Sequence, residues 1–81
     1  MKVVFLIGVN DVGGAEFVSY HHVLMAFRNG YDVTVVSGSA GMFYDKMVLE
    51  GVNVFVVGMQ PDISTIEPYI VGCDMVFNCN F

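Results

Sequence analysis

At 81 residues the chain is a single small domain, able to bury roughly 60% of its unfolded surface. Eight acidic against three basic residues give a net charge of −5, which excludes the clustered cationic footprint that a nucleic-acid backbone requires. Hydrophobic residues make up 56% and the mean hydropathy is +0.66, yet no apolar run approaches the ~20 residues that cross a bilayer, so no transmembrane segment is expected. The apolar excess belongs in a core or on a partner.

The chain opens with Lys2 to Ile7, almost uninterrupted Val, Phe, Leu and Ile. Such a run suits a strand buried on both faces, as in a parallel sheet, better than one with a wet side. It could pass for the core of a secretory leader, but Asn10-Asp11 and Gly13-Gly14-Ala15-Glu16 break it without a cleavage-type segment, so the expected compartment is the cytoplasm. Asn10, Asp11, Gly13 and Gly14 are turn formers, and the paired glycines permit positive φ and close approach of a ligand to the backbone. A helix is expected from about Ala15. A strand, a Gly-Gly loop and a helix start together offer unpaired backbone N–H groups and a positive dipole end, a combination suited to a phosphate or carboxylate. The same residues also serve as a plain turn whose glycines only let helix and strand pack closely.

Ala15 to Asn29 reads as a helix stopped by Gly30. Val18, His22, Val23, Ala26 and Phe27 form a stripe expected on the sheet, while Phe17, Tyr20 and Leu24 put apolar bulk on the other side and call for a second neighbour. His22 is expected against the sheet and His21 in solvent, both structural rather than catalytic. Asp32 to Gly38 is a β-branched second strand ending in Ser37-Gly38-Ser39, and Gly41 to Glu50 a second helix with Tyr44 and Asp45 on its surface. Val52 to Gly58 follows as a third strand. Ile63 to Val71 is a weaker helix containing Pro68, which either kinks it or marks a new start after Glu67, and Asp74 to Phe81 is a fourth strand. Cys73 and Cys79 form no CxxC; six residues apart on one strand they would be about 20 Å distant, so two free buried thiols are expected, with no disulfide and no metal site. The six methionines read as core filler, with Met42 and Met47 as candidates for an interface.

The resulting βαβαβαβ order predicts an α/β fold, a Rossmann-like three-layer sandwich on a four-stranded parallel sheet. The expected strand order is 3-2-1-4, with the ligand edge where strands one and four diverge. A flavodoxin-like nucleotide module would instead place strand three beside strand one. A dinucleotide fingerprint is missing, since Gly8 is followed only by Gly13-Gly14 and strand two ends in Ser37 rather than an acid. Gly14-Ala15-Glu16 likewise stands where a phosphate-binding loop would carry Gly-Lys-Ser/Thr.

The stretches K-V-V-F-L-I, G-G-A-E, R-N-G-Y, D-V-T-V-V-S-G and E-G-V-N-V-F, in that order, resemble the opening of GT-B glycosyltransferases. The likeness is to the retaining, sugar-nucleotide-dependent group (group 1, family-4-like), whose first loop carries Gly-Gly and whose second strand reads approximately G-H-E-V-T-V. It spans residues 1–81 and implies the first half of that family's N-terminal domain. By resemblance, Gly13 and Gly14 would offer backbone N–H contacts to donor diphosphate or acceptor, Asn10 and Asp11 would shape the loop, and Ser37 and Ser39 would share its edge. The partners implied are a nucleotide sugar and an acceptor hydroxyl, with no cofactor. Two departures stand out: Asn78-Cys79-Asn80 occupies the place of the family's H-A-H, and the C-terminal domain with its E-x7-E-type motif lies outside these residues, so the chain alone is expected to lack transferase activity. The alternatives are an assembly module without chemistry, built on an apolar fourth strand that invites pairing, or a small nucleotide-binding module. A homo-oligomer, at least a dimer, is expected from the exposed edge.

Overall fold

Lys2–Ile7 form β1, and the burial expected of an uninterrupted apolar run is present: Val3, Val4, Phe5 and Ile7 are all buried, so both faces of the strand are covered. The computed structural model of the chain describes residues 1–8 and 14–79, residues 14–16 by their backbone alone. The remaining elements are α1 (Gly14–Arg28), β2 (Asp32–Ser37), α2 (Met42–Glu50), β3 (Asn53–Val56), α3 (Ile63–Ile70) and β4 (Met75–Cys79). Each lies within the expected segment or one residue beyond it.

The four strands form one all-parallel sheet in the order β3-β2-β1-β4, as expected of a doubly wound α/β unit. That order is not the flavodoxin-like one. In register, Phe5 lies beside Val35 on one side and Phe77 on the other. The central core combines Val3, Phe5 and Ile7 of β1 and Val33 and Val35 of β2 with Val23 and Leu24 of α1 and Met47 of α2. Alternation along β3 assigns the two faces: Val54 joins this core, whereas Phe55, the next residue, turns the other way and meets the ring of Tyr69 in α3 at 4.9 Å. Helices α1 and α2 thus cover one face and α3 the other.

The helices differ in how firmly they are held. α1 ends in a Schellman-type turn, with Tyr31 N–H donating to the Ala26 carbonyl and Gly30 at φ 89, a left-handed conformation that a side chain resists. Gly51 closes α2 in the same way at φ 97. α3 contains no buried residue and runs without interruption through Pro68, at the loss of one backbone hydrogen bond to the Ser64 carbonyl.

Three expectations about packing are corrected. The core face of α1 is Tyr20, Val23, Leu24, Ala26 and Phe27: Val23, Ala26 and Phe27 of the expected stripe lie on it, but Val18 and His22 are exposed and Tyr20 and Leu24 take their place. The helix is apolar nearly all round, so its own periodicity does not choose a face; Phe43 of α2 does, stacking on Tyr20 at a centroid distance of 4.9 Å. Of the six methionines only Met47 is core; Met1, Met25, Met42, Met59 and Met75 are exposed. Both thiols are free but half-buried rather than buried, because Cys73 precedes β4 and Cys79 lies at its end on the sheet's edge.

Candidate functional site

Parallel strands direct all their carboxyl ends to one side of the sheet, and there the loops that end in small residues converge. The N–H of Gly8 donates to the Cys79 carbonyl at 3.3 Å, that of Gly38 to Ile7 at 2.9 Å, and that of Val57 to Ser37 at 2.8 Å. One chain of backbone hydrogen bonds therefore links the ends of β4, β1, β2 and β3. Close approach here has a steric requirement: a Cβ on Gly38 would stand 2.3 Å from the Gly8 carbonyl oxygen, 3.1 Å from the Met59 sulfur and 3.2 Å from the Gly58 oxygen. Gly38 is a glycine because two backbones meet at it.

Ser37, expected at a ligand edge, is completely buried. Its hydroxyl donates to the Ser39 carbonyl at 2.6 Å and lies 3.4 Å from the Ser39 N–H, a local bracket that holds the β2–α2 loop. The hydroxyl is thus committed to the loop, while Ser39 is half-exposed. Gly14 is the first residue of α1, which starts from the same edge, so the first turn of a 15-residue helix directs its N–H groups there. Asn10, Asp11 and Gly13 lie outside the described residues, as does Asn80. Asn78 and Cys79 close β4 beside Leu6 and Ile7.

Among the described residues the edge thus brings together Gly14, Ser37, Gly38, Ser39, Asn78 and Cys79, all electrically neutral. The three cationic side chains lie elsewhere: Lys2 begins β1, Arg28 ends α1, where it pairs with Glu50, and Lys46 is within α2. An anion at this edge would meet helix and loop amides rather than a lysine or arginine. His21 and His22 are exposed on α1, His21 with its ring edge-on to Phe17 at 4.4 Å, and neither belongs to the strand-end loops. Among the described residues no group of three or more His, Cys, Asp or Glu gathers as for a metal ion. None of the described helices is long and apolar enough to cross a membrane.

A second concave feature was not foreseen. Between α1 and β4, on the α1 face, lies an apolar groove of about 580 Å³ whose walls include Met1, Phe5, Met25, Met75 and Phe77. The signal for it was present in the hydropathy excess and the uncharged fourth strand, but its position required knowing that β4 is the outer neighbour of β1. Comparison with protein-family models, with curated proteins and with solved structures found no match to this chain.

Proposed function

We propose that this chain is the acceptor-side portion of a GT-B-type glycosyltransferase, binding a nucleotide sugar or its acceptor at the carboxyl edge of the sheet and lacking turnover by itself. The observation that carries the reading is the β3-β2-β1-β4 order, which puts the start of α1 at the point where the chain's crossovers reverse direction. The sequence resemblance through Gly13-Gly14-Ala15-Glu16 and the second strand adds the chemical class. In the reaction, the bond from the sugar's anomeric carbon to the donor diphosphate breaks and a bond to an acceptor oxygen forms. The nucleoside diphosphate leaves with the electron pair and the acceptor hydroxyl loses its proton. The contribution expected of this chain is electrostatic, with amides around Gly14 facing the charge on the diphosphate. The cleft that excludes water and supplies the remaining donor contacts would come from a second domain.

The test is a heteronuclear NMR titration of the labelled chain with UDP, GDP and representative UDP- and GDP-sugars, following the amides of Gly14, Gly38 and Ser39. Saturable shifts confined to this edge are expected. A folded chain whose spectrum does not respond to any of these ligands would refute the reading.

A further inference from the structure

We propose that Asn29-Gly30, the turn that closes α1, is a site of irreversible self-modification: the side-chain amide of Asn29 is lost as ammonia, at a rate set by the opening of the hydrogen bonds that hold the turn. Of the five asparagines only Asn29 is followed by glycine. A following glycine lacks the Cβ that would hinder its backbone nitrogen from reaching the side-chain carbonyl carbon. Both residues are exposed, so water has access to them.

The Gly30 nitrogen attacks Cγ of Asn29, its proton passes to Nδ2, and the Cγ–Nδ2 bond breaks to release ammonia and leave a cyclic imide. Water then adds to either ring carbonyl. Opening on one side leaves an ordinary aspartate, and on the other an isoaspartate, in which the main chain runs through the former side chain. Solvent water is the sole co-reactant, and loss of ammonia makes the change one-way.

The folded turn opposes the first step. Nδ2, the leaving group, donates to the Met25 carbonyl at 2.6 Å, and the Asn29 N–H donates to the same oxygen at 3.1 Å. The attacking nitrogen has its N–H committed to the Phe27 carbonyl at 3.1 Å, and the Tyr31 N–H donates to the Ala26 carbonyl at 3.2 Å. Cyclisation therefore requires the Asn29 amide to leave Met25 and the Gly30 N–H to leave Phe27. Each such bond shifts an opening equilibrium by roughly two- to twelvefold, so the pair slows the reaction by about five- to 150-fold relative to an unfolded chain. The end of a helix is where such openings occur without global unfolding.

Modification removes what latched the turn. A carboxylate at position 29 cannot donate to the Met25 carbonyl, and it sets a negative charge at the carbonyl end of a 15-residue helix. Arg28, next in sequence, is already paired with Glu50 at 3.1 Å. The isoaspartate adds a methylene to the main chain before Gly30, which displaces the Gly30 and Tyr31 N–H groups from their carbonyls just ahead of β2 at Asp32. The turn lies at the amino end of the sheet, away from the carboxyl edge where ligand binding is proposed, so the two readings fail independently.

Incubation of the chain in neutral buffer, followed by proteolysis and mass spectrometry, should show the mass gain of an amide-to-acid conversion on the peptide carrying Asn29, with aspartate and isoaspartate forms separating by chromatography. The intact product carries one more negative charge than the −5 of the chain and should be resolved by ion exchange. The same chain unfolded in urea should react at least about fivefold faster. Asn29→Gln, which keeps a donor and forms the ring far less readily, should stop the reaction at this position while retaining the parent's circular dichroism spectrum. Asn29→Asp should raise the unfolding equilibrium constant at least about threefold. No conversion in urea, equal rates in the folded and unfolded chain, faster conversion at another asparagine, or an Asn29→Asp variant as stable as the parent would each overturn the proposal.

Discussion

Replacing Gly38 with alanine tests whether the carboxyl edge is held by direct backbone contact. The new methyl would lie 2.3 Å from the Gly8 carbonyl oxygen, whereas real Cβ contacts stay beyond 3.0 Å, so the two segments must separate by at least roughly 0.7 Å. They are not free to do so. The Gly38 N–H is bonded to Ile7 at 2.9 Å and the preceding carbonyl accepts from Val57 at 2.8 Å, so separation strains the linkage of β1, β2 and β3 together. Overpacking of this kind costs about 1–3 kcal/mol, and weakening the two hydrogen bonds adds about 1 kcal/mol. The smaller unfolded-state entropy of alanine returns about 0.4–1 kcal/mol, leaving a net loss of about 1–3.5 kcal/mol. For a domain of this size that lowers the midpoint of thermal unfolding by about 5–25 °C. Urea unfolding followed by far-ultraviolet circular dichroism measures the loss, and amide shifts should concentrate at Gly8, Gly58 and Met59. Gly30→Ala is the comparison: nothing lies within 4 Å of its added methyl, so it reports only the strain of φ +89. A Gly38→Ala variant within about 0.5 kcal/mol of the parent would refute the steric argument.

Four further outcomes are expected. Pro68→Ala should stabilise the fold by about 1 kcal/mol, because Pro68 is exposed inside α3 and alanine restores a bond to the Ser64 carbonyl; a loss on urea unfolding would show that the ring is needed. Met47→Ala should cost about 2–4 kcal/mol, since Met47 is fully buried, whereas Met42→Ala should stay within about 0.5 kcal/mol in the same assay. Ser37→Ala should cost about 1 kcal/mol through the lost bond to the Ser39 carbonyl, measured by chemical denaturation. Glu50→Ala should change stability by no more than about 0.5 kcal/mol at any salt concentration, because the Arg28–Glu50 pair at 3.1 Å is exposed on the surface.

Much of the architecture was legible in local pattern. Val3-Val4-Phe5-Leu6-Ile7 has no polar position to offer to water, so the strand had to be covered on both faces. Gly30 and Gly51 follow apolar helical segments at the places where left-handed residues end α1 and α2. The handedness of the crossovers then ties the reversal at β4 to α3 covering the opposite face, but it does not choose between the 3-2-1-4 order and the flavodoxin-like one. Of the candidate site, Gly14 and Ser37 lie at the expected edge, but the Ser37 hydroxyl is used within its own loop. The turn chemistry at Asn10, Asp11 and Gly13 falls outside the described residues. Gly38 could be recognised as a loop residue and not as a steric necessity, since its neighbours, Gly8 and Gly58, are distant in sequence and adjacent only after the strands assemble.

By itself the amino-acid order determined which segments are strands and helices, where the helices stop, and that the sheet is parallel, because these depend on hydrophobic period, glycine conformation and chain handedness, all short-range or general properties of the polypeptide. Tertiary structure decided the face that α1 buries and which methionines are core. It also decided that an apolar groove opens between α1 and β4. In each case the residues offer several chemically equivalent surfaces, and only the neighbour that packs against one of them breaks the tie: Phe43 against Tyr20 for α1, the sheet against Met47, and β1 beside β4 for the groove.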